Sequence, residues 1–346
     1  MVMAQNNGKA LKGWILYTRS QADLKPENYE MHRFLAAAKA RGIDLTIVAP
    51  QQLDLIVTRE DRKSIRLDGH ITELPDFLIP RQGASTPYFS LAIIRHLERL
   101  GVLVLNKSEA IEQSKDKLYT QQILATTNFP LPNTMLVKSP VDIDLVQKQI
   151  GFPVVIKCLS GTHGAGVYLA ESRNHFAEVM TFIESTNSTA NIILQQFIEE
   201  SRGRDLRVFV VGGRPIACMI RRATDGSFKA NISRGGEPQP YKMTPEIEML
   251  AVEASRLLNL DIAGVDLLFD KDHFKLCEVN SSPGFKGMEQ AYPDVNIADS
   301  ILQYVEMRLG VFSSQPSPTA SLTDLDSAEQ APAETGTGSS GLAQDS

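Results

Sequence analysis

The chain has 346 residues, with 41 acidic against 35 basic side chains and a formal net charge of -6. That length is enough for two or three domains with a sizeable core, and the missing basic surplus argues against a nucleic-acid binder. No apolar run approaches a membrane span, and MVMAQNNGKALKG followed by the short WILY does not read as a signal peptide, so a cytoplasmic protein is expected. The acidity is concentrated in residues 313–346, which carry five acids and no Lys or Arg, leaving the rest of the chain near neutral. Cys158, Cys218 and Cys277 are far apart, form no CxxC pair and read as reduced buried thiols.

Residues 1–12 read as a flexible leader. Gly13–Thr18 is expected as a buried strand, Tyr29–Arg41 as a helix ended by Gly42, and Leu45–Ala49 as a second strand. Asp68-Gly69 between Ser64–Leu67 and His70–Glu73 signals a hairpin turn. Phe77–Pro80, a helix over Leu91–Leu100 and a strand at Val102–Asn106 complete an alternation that predicts an open α/β domain, residues 13–105, with a mostly parallel sheet.

A helical region is expected over Ser108–Leu124, with Asn106, Ser108 and Ser114 as candidate caps. Phe152–Lys157 predicts a strand that delivers a lysine into the glycine-rich Gly161–Gly166 loop. Glycine lets backbone amides approach an anion, so such a loop is suited to phosphate, a plain strand-end lysine followed by a hairpin loop being the alternative. The loop is neither a Walker loop nor the dinucleotide fingerprint, because no GK[ST] closes it and GxGxxG is missing. Strands follow at Asn191–Ile198, Asp205–Val211 and Pro215–Arg222, the last two flanking Gly212-Gly213. The helix Pro245–Asn259 carries an apolar stripe, Ile297–Leu309 is expected as a final helix, and the tail from Ser313 has the composition of a disordered segment.

The stretch from Asp266 to Gly287 carries the clearest chemistry. GVDLLF and KLCEVN flank the polar turn DKDH as a β-hairpin. Strand alternation sends Glu278 and Asn280 to one face, where Asp266 joins them if the strands pair face to face. Two carboxylates and an amide oxygen suit magnesium rather than zinc. A solvated hairpin face with ordinary acids is the alternative. Asp205, Arg207, Arg221, Arg222 and Arg234 cluster charge around the neighbouring hairpins, which in a nearly neutral body favours an anionic ligand.

The segments SKDKLYT, PVVIKCLSGTHGAGV, LQQFIEESRGRDLRVFVVGGR, MIRRA, FKANISRGG, GVDLLF and EVNSSPGFKGME run in order over about residues 106–290. As a set they resemble the ATP-grasp superfamily, and more narrowly RimK-type α-L-glutamate ligases. PRQG, with Arg81, is similar to that family's first domain. The resemblance implies an α/β fold, α+β in parts, with an N-terminal open α/β domain (13–105) before an ATP-grasp unit. It implies a central subdomain at 106–190 and a C-terminal subdomain at 191–312. Lys117 and Lys157 would contact ATP phosphates beneath the loop that includes Gly161, Gly164 and Gly166. Gln196, where the family often has an acid, and Phe197 would line the adenine pocket. Asp205 would bind the ribose, and Lys229, Ala230 and Asn231 would continue the nucleotide site. Asp266, Glu278 and Asn280 would hold two magnesium ions or manganese. Arg207, Arg222 and Arg234 would face phosphate or substrate carboxylates.

The implied reaction is ATP-dependent addition of L-glutamate to an acceptor carboxylate through an acyl phosphate. The acceptor would be the C-terminus of a ribosomal protein or glutamate itself, with N-acetylaspartate or citrate as the alternative. A non-catalytic nucleotide-binding regulator is the reading from another class. A homo-oligomer is expected, with no direct nucleic-acid partner, given the near-neutral body, and no membrane partner, given that no apolar run reaches a span.

Overall fold

The computed structural model describes residues 10–57, 64–83, 86–158, 166–186, 191–230 and 236–311. Residues 1–9 of the expected leader and the whole acidic tail, 313–346, lie outside them, as do Gly161, Gly164, Asn231 and Arg234, while Lys12, expected in the leader, already belongs to the first strand.

β1 (Lys12–Leu16), α1 (Tyr29–Arg41) and β2 (Asp44–Val48) open the fold. Gly42 ends α1 at φ 68°, a left-handed conformation that suits glycine. β3 (Leu53–Leu55), β4 (Ile65–Leu67) and β5 (His70–Ile71) make a small antiparallel sheet, with Asp68 and Gly69 at φ 50° and 77° forming the expected turn. β6 (Phe77–Pro80), α2 (Tyr88–Arg99) and β7 (Leu103–Val104) complete a parallel sheet of order β2-β1-β6-β7. β6 is buried throughout, as a central parallel strand covered on both faces should be.

The helical region expected from Ser108 divides into α3 (Ser108–Lys115) and α4 (Lys117–Ala125). Asp116 makes the break: its carboxylate accepts from the backbone N–H of Leu118 and Tyr119, both at 3.0 Å, and so caps α4. Asn106, Ser108 and Ser114 do not cap. Ser108 donates to Glu98, Ser114 donates to the Ile111 carbonyl, and the Asn106 amide bridges distant backbone.

β8 (Thr134–Val137), α5 (Ile143–Gln149), β9 (Val154–Cys158), β10 (Val167–Ala170), α6 (Arg173–Thr186) and β11 (Ile192–Gln196) build an antiparallel sheet of order β10-β9-β11-β8. A new unit was expected to begin at residue 191, but β11 pairs with β9 and β8 and so completes this earlier sheet.

β12 (Arg204–Val211), β13 (Arg214–Arg222), β14 (Glu237–Pro240), α7 (Pro245–Leu257), β15 (Ile262–Asp270) and β16 (His273–Asn280) form the last sheet and its cover, and α8 (Lys286–Ala291) and α9 (Ile297–Leu309) close the fold. The strand order is β14-β13-β12-β15-β16, with every pair antiparallel. One face of this sheet packs Val208, Cys218 and Val265 against Ile247 and Leu250 of α7. The other face, toward one end, packs Phe209, Met219 and Ile262 with Phe34 of α1 and Ile301 of α9. The opposite end of that face is polar and carries the site.

Cys218 lies in the first of these cores, and burial pushes its thiol from an ordinary value near 9 up to about 12. Between those values the unfolded thiol is ionised while the folded thiol keeps its proton. The folded state then binds more protons, so stability falls as pH rises, by about 1.4 kcal/mol per pH unit from this group. Denaturant midpoints are expected to fall between pH 9 and 11, and Cys218→Ala is expected to show a shallower decline than the wild type.

Candidate active site

The site face is assembled by strand register. Asp205 stands opposite Arg221, Arg207 opposite both Met219 and Asp266, and Asp266 opposite Glu278. Two irregularities set this arrangement. The β12–β13 ladder shifts at Phe209/Val210, and the β15–β16 ladder shifts at Asp266/Leu267. Each adds one residue to one strand, which transfers later side chains to the other face. Without the second shift, the two-residue turn would set Cys277 opposite Asp266 instead of Glu278.

Four of these side chains form one ionic network. Arg207 Nε and Nη2 donate to Asp266 Oδ1 and Oδ2 at 2.7 and 2.6 Å. Arg221 Nε and Nη2 donate to Asp205 Oδ1 and Oδ2 at 2.6 and 2.7 Å, and Arg221 Nη2 also lies 2.9 Å from Asp266 Oδ2. Asp266 and Arg221 are 2 and 3% exposed at their side chains, so the charges are out of water and depend on one another. Burial alone would raise the Asp266 pKa, but the guanidinium groups of Arg207 and Arg221 outweigh it and hold the carboxyl below its usual range. Beside the network, Asn280 Nδ2 donates to Glu278 Oε1 at 3.2 Å, which confirms that the two share a face.

A second sheet brings in a cation. Lys157, on β9, is 8% exposed, and its Nζ donates to Gln195 Oε1 at 2.7 Å. Gln195 in turn donates to the Thr134 hydroxyl at 3.0 Å, which fixes the acceptor. Lys157 faces β16. Burial pushes the Cys277 thiol up to about 11, and among nearby charges Lys157 opposes that rise while Glu278, Asp266 and Asp205 add to it. The lysine of the middle sheet and the acids of the last sheet therefore share one electrostatic environment.

The other expected residues fall as follows. Lys117 is the first residue of α4 and half-buried. Gly166 stands at φ 75°, where a Cβ would meet Cys158 Cβ at 3.1 Å. Gln196 is tied to the β8 approach, its Oε1 accepting from the Asn133 N–H at 3.3 Å. Phe197 packs edge-on against Phe228 with centroids 6.4 Å apart, and the Lys229 ammonium lies 5.2 Å from the Phe228 ring centre. Ala230 is buried. Arg222 is exposed and alternates to the face opposite Asp205 and Arg207, so the structure does not bring it to them. Arg221 occupies the inward position instead, and only the register shift in β12–β13 distinguishes the two.

Asp266, Glu278 and Asn280 offer only oxygen donors, the chemistry a hard cation such as magnesium prefers. Among the described residues no group of three His, Cys, Asp or Glu side chains is gathered for a metal ion. The donor set is thus two carboxylates and an amide, which fits a cation that keeps water or phosphate oxygens in its remaining positions. Glu278 is the more available carboxylate, since Asp266 already accepts from two guanidinium groups.

Comparison with known proteins gives the family. The RimK-like ATP-grasp domain matches residues 114–305, and the RimK PreATP-grasp domain matches residues 23–111. The chain belongs to the RimK-like ATP-grasp family. Its members are ligases, and this chain is an enzyme of that kind. A probable alpha-L-glutamate ligase of Legionella pneumophila (strain Corby) is 38% identical over 290 residues, covering 84% of this chain and 95% of that protein. A probable alpha-L-glutamate ligase 1 of Shewanella frigidimarina is 40% identical over 290 residues, covering 83 and 94%. Among solved structures, the ATP-grasp ligase PsnB with a phosphomimetic precursor variant, Mg and ADP superposes with TM-score 0.66 at 17% identity, covering 87% of this chain and 99% of that one. A RimK domain protein of Sphaerobacter thermophilus gives TM-score 0.64 at 19% identity, covering 85 and 98%. These two likenesses concern the fold. Among the described residues, no helix is long and apolar enough to cross a membrane.

Proposed function

We propose that this enzyme is an ATP-dependent glutamate ligase that activates an acceptor carboxylate as an acyl phosphate and joins it to the amine of L-glutamate. The observation that carries this reading is that buried Lys157 of one sheet and Asp205, Asp266 and Glu278 of another all act electrostatically on the same residue, Cys277. The relatives named as probable α-L-glutamate ligases support glutamate as the amino acid.

Activation brings two anions together, the acceptor carboxylate and the γ-phosphate of ATP. Catalysis therefore rests on offsetting their repulsion and aligning the transfer. Lys157 keeps two ammonium N–H groups beyond its bond to Gln195 and directs them to phosphate oxygens. Lys117 and the glycine loop through Gly166 take the remaining phosphate contacts. Gln196 and Phe197 hold the base, Asp205 the ribose, and Lys229, Ala230 and Asn231 extend that wall. Asp266, Glu278 and Asn280 would hold magnesium or manganese, as two ions, supplying positive charge to the phosphates when bound. Arg207 and Arg221 keep Asp266 ionised and fixed in direction. Arg234 is reserved for a carboxylate of a bound substrate.

The acyl carbon of the acyl phosphate then accepts the glutamate amine, and phosphate leaves as the amide forms. The acceptor we favour is the C-terminus of a ribosomal protein, glutamate itself being a second acceptor that yields poly-α-glutamate. The enzyme works in the cytoplasm as a homo-oligomer in this reading. A coupled ADP-release assay tests it. L-Glutamate is expected to support turnover where D-glutamate, L-glutamine and L-alanine do not. Equal turnover with all four, or none with any, would contradict the assignment.

A further inference from the structure

We propose that the crevice at the carboxyl ends of β1 and β6 is a carboxylate-binding subsite for glutamate, and that Arg81 is the residue that takes the carboxylate. This rests on the glutamate-ligase reading and adds to it where that substrate is held.

The parallel sheet has the order β2-β1-β6-β7, so the chain leaves β1 toward one side and later returns on its other side. The reversal falls between β1 and β6. In open α/β sheets, ligands bind outside the carboxyl ends of the strands at such a point. Arg81 follows β6 there, its backbone N–H donating to the Leu16 carbonyl at 2.8 Å. Tyr17 follows β1, and its hydroxyl accepts from Asn28 Nδ2 at 3.1 Å.

The loop after Asn280 walls this crevice and is pinned in three ways. Arg81 Nη2 donates to the Pro283 carbonyl at 2.7 Å. Asn106 Nδ2 donates to the Ser281 carbonyl at 2.8 Å. Gly264 leaves room for Pro283, whose Cβ would lie 2.5 Å from a side chain there. The crevice is therefore tied directly to the strand that carries Glu278 and Asn280.

The Arg81 guanidinium has unspent bonding capacity. It is 7% exposed, and its centre lies 5.9 and 5.7 Å from the ring centres of Phe34 and Phe285. Its Nε and Nη1 are buried with no hydrogen-bond partner among the described residues. Glu30 is an acid whose charge reaches it, yet Glu30 Oε1 accepts from the Phe285 N–H at 3.2 Å rather than from Arg81. A buried guanidinium with idle donors is costly unless an anion completes it. Its planar fork matches a carboxylate in shape and charge.

The test is calorimetric binding of L-glutamate to the full chain with MgADP present, for the wild type, Arg81→Gln and Arg81→Lys. MgADP binding is measured alongside. Arg81→Gln is expected to weaken glutamate binding at least about tenfold, and Arg81→Lys, which keeps charge without the fork, less so. MgADP affinity is expected to stay within about twofold in both, since Arg81 makes no contact with the acid face. If Arg81→Gln does not fold, Arg81→Lys carries the same comparison. Unchanged glutamate affinity in a variant overturns the subsite alone. An equal loss of glutamate and nucleotide affinity shows that Arg81 only pins the Pro283 loop, and also overturns it. A wild type that binds MgADP but no glutamate overturns both the subsite and the glutamate-ligase reading.

Discussion

Glu278→Gln is expected to lower ATP turnover at least about 100-fold while leaving the fold intact. The substitution keeps volume and shape and removes one negative charge. Asn280 Nδ2, which donates to Glu278 Oε1 at 3.2 Å, finds an equivalent oxygen on the glutamine. Glu278 is half-buried and takes no part in the arginine network, so its loss leaves no cation stranded. Stability should therefore move by no more than about 1 kcal/mol in a denaturant melt. Activity should fall because this carboxylate on the acid face has no guanidinium partner among the described residues, and is the one best able to meet a hard cation. Turnover near the wild-type rate would remove the metal assignment.

Asp266→Ala acts on the same face by a different route. Its carboxylate receives both donors of Arg207 and one of Arg221. Removing it strands a guanidinium that is 14% exposed at the side chain, next to another at 3%. Breaking a buried pair by deleting one partner costs about 3–5 kcal/mol, mostly the cost of the uncompensated charge. Arg221 keeps Asp205, so Arg207 bears most of the loss. The variant is expected to show a clearly lowered urea midpoint as well as lost turnover. A further Arg207→Met change should recover part of the stability and none of the activity. A midpoint equal to that of the wild type would mean the network contributes nothing to the fold.

The contrast between these two acids was only half visible in the sequence. Alternation along KLCEVN placed Glu278 and Asn280 together, and the DKDH turn announced the hairpin. Whether Asp266 faced them depended on an extra residue in β16, which short apolar strands do not advertise. The shift in β12–β13 had the larger consequence. A regular ladder from the Gly212-Gly213 turn would have set Ile220 opposite Asp205, whereas the shift brings Arg221 there and turns Arg222 to the other face.

Helices with clear stops were read closely. Tyr29–Arg41 and Ile297–Leu309 have the bounds expected, and each ends on a glycine at positive φ. Elements with little apolar periodicity were missed, including β8, α5, β14 and α8. Each is short and takes its place from tertiary contacts rather than from pattern. Arg81 and Asn106 belong to the same class. Their importance lies in contacts with Pro283 and Ser281, about two hundred residues away in the chain, which no local pattern encodes.

The measurement closest to the central claim is mass spectrometry of the products formed from ATP, magnesium and L-glutamate, with and without a ribosomal protein fraction. Amide-linked glutamate on a protein C-terminus, or free glutamate oligomers, is expected, with one ADP formed per residue added. ADP formed without any new glutamate-containing product, or neither ADP nor product, would contradict it.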